Sequence, residues 1–122
     1  MDLENRVIQL CIAGTQAEFH RRFSDAVALY EQAWQIHSND YEACIAAHYM
    51  ARHRNNPKEE FEWNQKALDY AMTCDDDRLT SFLPSLYVNM GKSHEKLGDL
   101  NVAQKYYEKA AQLGLSHQMD ME

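Results

Sequence analysis

The chain has 122 residues, of which 45% are hydrophobic, and its formal net charge is −7. This length suits one domain with its own core, and the apolar fraction argues against disorder. An acidic protein without a basic run longer than Arg21-Arg22 is a poor partner for nucleic acid or for an anionic membrane. The sequence lacks an apolar stretch of the about 20 residues that a membrane span needs, and its start is acidic, so we expect a cytoplasmic protein.

The composition favours helices. Four glycines and two prolines are too few for an all-β fold with many tight turns, whereas Ala, Leu, Glu, Gln and Lys are good helix formers. Apolar periodicity and helix-start signals predict six helices. Their expected bounds are 2–20, 24–37, 41–54, 57–73, 79–97 and 99–113.

The best helix-start signal is Asn56-Pro57, a capping residue followed by a proline that suits the first helical position. Glu59, three residues after Asn56, completes the capping pattern. Similar start signals stand at Ser24-Asp25, Asn39-Asp40 and Gly98-Asp99.

An internal repeat is the most informative pattern, because self-similarity at a fixed period is typical of helical arrays. Near the end of the chain, a glycine is followed by a second glycine, then by an alanine, an aromatic residue and another alanine. These are Gly91, Gly98, Ala103, Tyr107 and Ala110. The matching residues of an earlier copy are Gly14, Ala26, Tyr30 and Ala33. A middle copy keeps Ala67 but has His48, Glu60 and Asn64 at the other marks.

This spacing resembles the tetratricopeptide repeat. The resemblance implies an all-α fold, a right-handed α-α superhelix of about six antiparallel helices that share a continuous core. Three repeats are expected at about 7–40, 41–74 and 84–117, within a single domain 1–122 that ends in a flexible tail at about 116–122. Small residues such as Gly14 and Ala26 are expected to face one another where the two helices of a repeat cross.

Nine residues, 75–83, separate the second copy from the third. The helical spacing of Leu79, Phe82 and Leu86 favours a long fifth helix that begins near residue 79 and bends at Pro84. The alternative starts this helix at Pro84 and leaves the extra residues as a loop.

The middle copy breaks the small-residue pattern at His48 and Glu60. Gly and Ala would meet at these positions, so we expect the imidazole and the carboxylate to form a hydrogen-bonded pair. In the alternative, Glu60 points to solvent and Phe61 takes over its packing role.

No pattern indicates chemistry. The six histidines and three cysteines show no zinc-ligand spacing, no catalytic triad pattern and no phosphate-binding glycine loop. We therefore expect no enzyme activity, no catalytic residues, no metal and no cofactor, and we expect the cysteines to act as small reduced hydrophobes.

Partner binding is the expected function. The family resemblance implies that the first helices of the repeats line a concave groove that takes a peptide or protein segment. The residues carried onto that groove are Thr15, Glu18, Phe19, Tyr49, Arg52, His53, Lys92, Glu95 and Lys96. Chaperone-binding members of the family use a clamp of Lys, Asn and Arg, and this sequence departs from it with Cys11 and Thr15 at the first pair of positions.

A second surface is expected on the outer side of the second helices. Leu29, Trp63 and Tyr106 occupy one equivalent column there, and an exposed apolar column would be an interface. The alternative is that neighbouring helices cover these side chains. A self-associating structural module, as a homodimer for example, is therefore the second functional hypothesis, and a peptide-sensing regulator is a weaker third.

Overall fold

The computed structural model describes residues 3–115, and all regular secondary structure in this part of the chain is helical, without a strand. The all-α prediction is confirmed. The six helices are α1 Arg6–Phe19, α2 Phe23–Ile36, α3 Asp40–Met50, α4 Pro57–Thr73, α5 Leu83–Lys96 and α6 Leu100–Gln112. The expected tail at 116–122 lies outside the described residues.

The helices pack as three consecutive pairs, α1 with α2, α3 with α4, and α5 with α6. Neighbouring pairs meet mainly through α2 against α3 and through α4 against α5. Large side chains such as Ile8, Tyr30, Leu86 and Met90 are almost wholly buried between the helices. Each pair leaves an apolar side that the next pair covers, which is why the core is continuous along the array.

Three predicted caps are confirmed by hydrogen bonds. The Asn56 and Asn39 side chains each accept from a backbone N–H three residues later at 2.8 Å, and Asp99 does so at 3.4 Å. The starts of α1 and α2 differ from expectation. Helix α1 begins at Arg6, because the Asn5 side chain caps it there, and α2 begins at Phe23 without a side-chain cap.

The prediction of a long fifth helix is wrong. Helix α5 begins at Leu83 and holds Pro84 in its first turn, where the missing backbone N–H has no intrahelical partner to lose. The preceding residues form a loop around a short 3-10 turn, Asp77–Leu79, which Asp76 caps by accepting from the Arg78 N–H at 3.0 Å. Leu79 is buried and anchors this loop to the core.

The glycines of the outer pairs make room for tyrosines. A Cβ atom built on Gly14 would lie 2.3 Å from Cε1 of Tyr30, and one on Gly91 would lie 2.4 Å from Cε1 of Tyr107. Outside the helix of each glycine, the atoms nearest to this built Cβ atom therefore belong to a tyrosine ring. The expected partner, an alanine such as Ala26, does not supply the closest contact.

The predicted pairing of His48 with Glu60 is wrong. The His48 Nδ1 atom lies 3.2 Å from the Asn89 side-chain amide, whereas both Glu60 oxygens accept from the Lys96 ammonium at 2.9 Å. The alternative had Glu60 pointing to solvent and Phe61 packing in its place, and it is partly right. Phe61 does pack edge-on against a histidine of α5, but Glu60 is held by its ion pair with Lys96.

Cys11 and Cys44 are free and buried. Burial raises the pKa of each thiol to about 12, so both remain protonated. This agrees with the predicted role of these residues as small hydrophobes.

Candidate functional site

Three of the predicted groove residues, Glu18, Arg52 and His53, meet at the Glu18 carboxylate together with Tyr30. Arg52 donates to it from Nε at 2.8 Å and from a terminal guanidinium nitrogen at 2.6 Å. His53 Nε2 lies 3.0 Å from the same carboxylate, and the Tyr30 hydroxyl donates to it at 2.6 Å. Thr15, one turn earlier, places its hydroxyl 3.5 Å from that of Tyr30. We call Glu18, Tyr30, Arg52 and His53 the Glu18 cluster.

The Glu18 cluster fixes the charge of its central carboxylate. Burial by itself would raise the pKa of Glu18, but hydrogen bonds from Arg52, Tyr30 and His53 outweigh it and hold the pKa at about 2. Burial and the Glu18 hydrogen bond raise the pKa of Tyr30. Glu18 is thus ionised at neutral pH and links the first helix pair to the second.

Aromatic packing reinforces this link. The Tyr49 ring stacks on Tyr30 with centroids 5.1 Å apart. Phe19 takes no part in this packing, because it is 85% exposed. The structure therefore brings Thr15, Glu18, Tyr49, Arg52 and His53 together and leaves Phe19 outside.

A polar groove of about 250 Å³ lies between α3 and α5, over the start of α4. We call it the α3–α5 groove. Its lining residues are His48, Ala51, Arg52, Glu60, Asn64, Asn89, Lys92 and Lys96. It therefore contains three of the predicted partner-binding cations, and Arg52 borders both this groove and the Glu18 cluster.

The cations of the α3–α5 groove are not equally free. Arg52 is paired with Glu18, and Lys96 is paired with Glu60 across the groove. Lys92 is exposed and has no ion pair among residues 3–115. Of the three, Lys92 is the cation most open to an external anion.

His48 forms a largely buried wall of the same groove. Burial and the nearby Arg52 charge lower its pKa to about 4, so the imidazole is neutral at physiological pH. Deeper in the same wall, the Asn64 amide donates to the Ser93 hydroxyl at 2.9 Å. The apolar contact between the second and third helix pairs therefore contains buried hydrogen bonds.

Glu95 has a structural partner in the third pair. Its carboxylate accepts from the Tyr107 hydroxyl at 2.5 Å, as Glu18 accepts from Tyr30. Glu95 therefore lies outside the α3–α5 groove lining, and the structure gives it the same hydrogen bond as Glu18.

The outer column is not an exposed patch. Leu29, Trp63 and Tyr106 are each partly buried. Trp63 packs edge-on against Trp34 with centroids 5.0 Å apart, and Tyr106 stacks on His94 at 5.5 Å. The alternative, in which neighbouring helices cover these side chains, describes them better.

Sequence reasoning missed the internal partners of these charges. The signal was available, because a Glu follows the packing glycine by four residues in both outer pairs, and the tyrosine lies sixteen residues after that glycine. Asn89 and Ser93 carried no such signal, because their partners come from an irregular pair. Among the described residues no three His, Cys, Asp or Glu side chains group as metal ligands, and no helix is long and apolar enough to cross a membrane.

Comparison with known proteins finds a family match for the third helix pair. Residues 84–113 match the family model of the tetratricopeptide repeat, and this segment covers nearly all of α5 and α6. A search of curated proteins and a search of solved structures each found no significant match. The described part of the chain is thus an all-α array of helix pairs, and residues 84–113 of it match the tetratricopeptide repeat.

Proposed function

We propose that the chain is a non-catalytic interaction module whose α3–α5 groove binds an acidic segment of a peptide or protein. Tetratricopeptide repeats generally serve in protein–protein interaction, and a match of this kind supports the general role. The charge of the groove carries the more specific proposal. Its lining has three cations, Arg52, Lys92 and Lys96, against the single carboxylate of Glu60, in a chain whose net charge is −7.

The local positive charge attracts an anionic ligand, and the negative charge of the rest of the chain repels the same ligand from other sites. Lys92 offers an unpaired ammonium, and Arg52 has further N–H groups beyond the two that Glu18 accepts. The groove volume fits one or two carboxylate side chains. The rest of the segment would lie along the surface between α3 and α5.

The Lys96–Glu60 pair does not oppose binding strongly. Both side chains are partly exposed, and exposed ion pairs contribute only about 0–1 kcal/mol. A ligand carboxylate can therefore replace Glu60 as the partner of Lys96. The neutral His48 adds no charge to the wall but can donate or accept a hydrogen bond, depending on its tautomer.

The test is selection from a random peptide library displayed on phage, with the full chain as bait. We expect peptides rich in Asp and Glu, whose affinity falls as salt rises. The variant Lys92→Glu reverses the charge of the one groove cation without an internal partner and should lose these peptides. Arg52→Glu is a poor choice, because it would place a second carboxylate against Glu18.

Lys105→Glu is the matched control, since Lys105 is an exposed lysine of α6 outside the groove lining. It makes the same charge change and should retain the selected peptides. Selected peptides without acidic residues, or equal binding by the Lys92→Glu and Lys105→Glu variants, would contradict the proposal.

We also propose that the first two helix pairs are divergent repeats of the same type, at about 7–40 and 41–74. The shared glycine, glutamate and tyrosine of the first and third pairs support this, because Gly14, Glu18 and Tyr30 make the same contacts as their counterparts in the matched repeat.

Self-association is the second candidate function. The observation that favours it is apolar exposure at the helix turns, where Phe19, Phe23, Leu97 and Leu100 are all exposed. Sedimentation velocity at micromolar protein would show a dimer that Phe19→Ser and Leu100→Ser weaken. A single monomeric species at all concentrations would exclude this function.

A further inference from the structure

The turns inside the three helix pairs lie along one edge of the array. The Glu18 carboxylate near the end of α1 lies 2.6 Å from the Arg52 guanidinium just after α3. The Glu60 carboxylate in the first turn of α4 lies 2.9 Å from the Lys96 ammonium at the end of α5. The segments that join the helices of each pair are therefore neighbours. We call the side that carries segments 20–22, 51–56 and 97–99 the turn edge.

Charge is unevenly divided between the turn edge and the opposite edge. The whole chain carries a net charge of −7, which by itself argues against binding to an anionic surface. The charged residues in the segments of the turn edge are Arg21, Arg22, Arg52, Arg54 and Asp99. Segments 37–39 and 74–82 of the opposite edge hold three aspartates and one arginine. Three carboxylates at the adjoining helix ends, Glu18, Asp25 and Glu60, each have a cation partner. The connecting segments are thus positive at the turn edge and negative at the opposite edge.

The α1–α2 turn exposes aromatic rings beside its arginines. Phe19 is 85% exposed and Phe23 is 48% exposed, on either side of Arg21 and Arg22 in the chain. Apolar residues are also exposed on the opposite edge, as at Leu113, but the connecting segments there are acidic. The turn edge therefore combines exposed apolar surface with positive charge.

The backbone at Arg21 points to a role for its side chain outside the fold. Arg21 has a φ angle of 60°, in the left-handed region that favours glycine. The third pair has a glycine there, because Gly98, with a φ of 84°, follows Gly91 by seven residues as Arg21 follows Gly14. Arg21 is exposed, so burial of its side chain does not explain the strained residue. Strained residues of this kind are typical of functional sites.

A protruding turn suits a soft surface. A ring as exposed as that of Phe19 would need a matching pocket on a rigid protein, whereas the interface of a bilayer admits it without one. Arginine can donate two hydrogen bonds at once to the phosphate of a lipid headgroup. Helix α1 has 14 residues and is thus about 20 Å long. This is about twice the Debye length at 0.1 M salt, so the acids of the opposite edge are largely screened from a bilayer at the turn edge.

We propose that the α1–α2 turn binds reversibly to a bilayer that contains anionic lipids. The rings of Phe19 and Phe23 enter the headgroup region, and Arg21 and Arg22 bind lipid phosphates. Leu100, which is 55% exposed on the same edge, extends the contact. This surface is separate from the α3–α5 groove and does not depend on the function proposed for it.

The test is flotation of the full chain with phosphatidylcholine vesicles that contain about 30% phosphatidylserine. We expect the protein to float with these vesicles at about 0.1 M salt and to be released as the salt rises. Pure phosphatidylcholine vesicles should bind it more weakly. Phe19→Ser and Arg21→Gln change exposed side chains and should each lower the partition constant about fivefold. Leu113→Ser and Arg6→Gln are matched controls on the opposite edge and should bind as the wild type does.

Arg21→Gly separates binding from folding. Glycine suits the left-handed backbone, so this variant should unfold at a higher urea concentration than the wild type. The same variant should bind the phosphatidylserine vesicles more weakly, because it lacks the guanidinium. A purely structural role for Arg21 would change stability and leave the partition constant as it is.

The proposal is overturned if the wild type does not float with phosphatidylserine vesicles. Equal flotation of the wild type, Phe19→Ser and Arg21→Gly would overturn it as well, and so would an equal loss in the Leu113→Ser control. Two results assign the turn edge to another partner and also overturn the proposal. Without flotation, a dimer in sedimentation velocity that Phe19→Ser dissociates assigns this edge to a second copy of the chain, and acidic peptides that Arg21→Gly binds more weakly assign it to an acidic protein segment.

Discussion

The contact between Gly14 and Tyr30 gives the sharpest test of the packing. Gly14→Ala would place a Cβ atom 2.3 Å from Cε1 of Tyr30 and 2.8 Å from Cδ1 and Cζ. Carbon atoms pack at about 3.5–4.0 Å, so the ring must move by more than about 1 Å. Tyr30 has no free space, because it is fully buried, stacks on Tyr49 and donates to Glu18 at 2.6 Å.

The magnitude follows from three effects. Overpacking costs about 1–3 kcal/mol, and loss of a hydrogen bond to a charged group adds about 1.5–3 kcal/mol if the ring is displaced. In the opposite direction, alanine in place of glycine within a helix stabilises the helix by about 1 kcal/mol. We expect Gly14→Ala to lower the free energy of unfolding by about 2–4 kcal/mol, as measured by urea denaturation and circular dichroism.

The same substitution should behave differently without the ring. In a Tyr30→Ala background, Gly14→Ala should stabilise by about 0.5–1 kcal/mol, because only the helix propensity remains. The difference between the two backgrounds is the coupling energy of a double-mutant cycle. If Gly14→Ala has the same effect in both backgrounds, the glycine is not there to admit the tyrosine and the argument fails.

Three further predictions concern stability. The pKa of Glu18 is lowered to about 2, so its ion pair stabilises the fold above the unfolded-state pKa near 4.5 and is lost as the pH falls toward 2. Because Arg52 is partly exposed, we discount this contribution for solvent screening. Between pH 4.5 and 2, the free energy of unfolding of the wild type should fall by about 2 kcal/mol more than that of Glu18→Gln in urea denaturation. Parallel pH profiles of the two proteins would contradict this prediction. Burial lowers the pKa of His48 to about 4 in the folded chain. As the pH falls from 6.5 to 4, the unfolded chain therefore binds a proton that the folded chain does not, and the free energy of unfolding should fall. That slope should be smaller in His48→Gln, and a titration of the His48 ring by NMR with a midpoint near 6.5 would refute it. Arg21 has a φ angle of 60°, in the left-handed region, so Arg21→Gly should stabilise by about 1 kcal/mol in urea denaturation. Arg22→Gly, at a φ of −91°, should bring no such gain.

The sequence predicted the six helices because each carries its own period and most carry a cap. It missed the start of α5 because the apolar spacing of 79–86 is the same in a helix as in a loop with a buried leucine. Only the packing of Leu79 and the place of Pro84 in the first turn decide between them. Local patterns therefore predicted elements well, and the connection between two pairs depended on tertiary contacts.

The sequence predicted the candidate site less well, for an electrostatic reason. Family positions predict Glu18, Arg52 and Lys96 on one face. In the structure Arg52 pairs with Glu18, and Arg52 and Lys96 line the same groove. A sequence pattern does not show which charges neutralise one another, and two of the three groove cations have internal carboxylate partners. Lys92, the groove cation without such a partner among the described residues, is identified only by the contacts of the other two.

The middle helix pair explains where the array can adapt. At the positions of glycine and tyrosine in the outer pairs it has His48 and Asn64, so the larger side chain has moved from the second helix to the first and the polar one has become buried. Within the shared apolar core, the second and third pairs also meet through Asn64–Ser93 and His48–Asn89 hydrogen bonds. The first and second pairs have the stacking of Tyr30 on Tyr49 at the corresponding place.

A polar contact of this kind depends on direction and distance, and a shift of α5 would break it before it broke an apolar contact. The α3–α5 groove is bounded by these same hydrogen bonds. A ligand that draws Lys92 and Lys96 toward α3 would then change the angle between the second and third pairs, while the first two stay joined by the Glu18 cluster. We expect amide exchange in α5 to slow on binding more than exchange in α1, because α1 is already held by Arg52 and His53. Equal slowing of the two helices would show that the array responds as one rigid body.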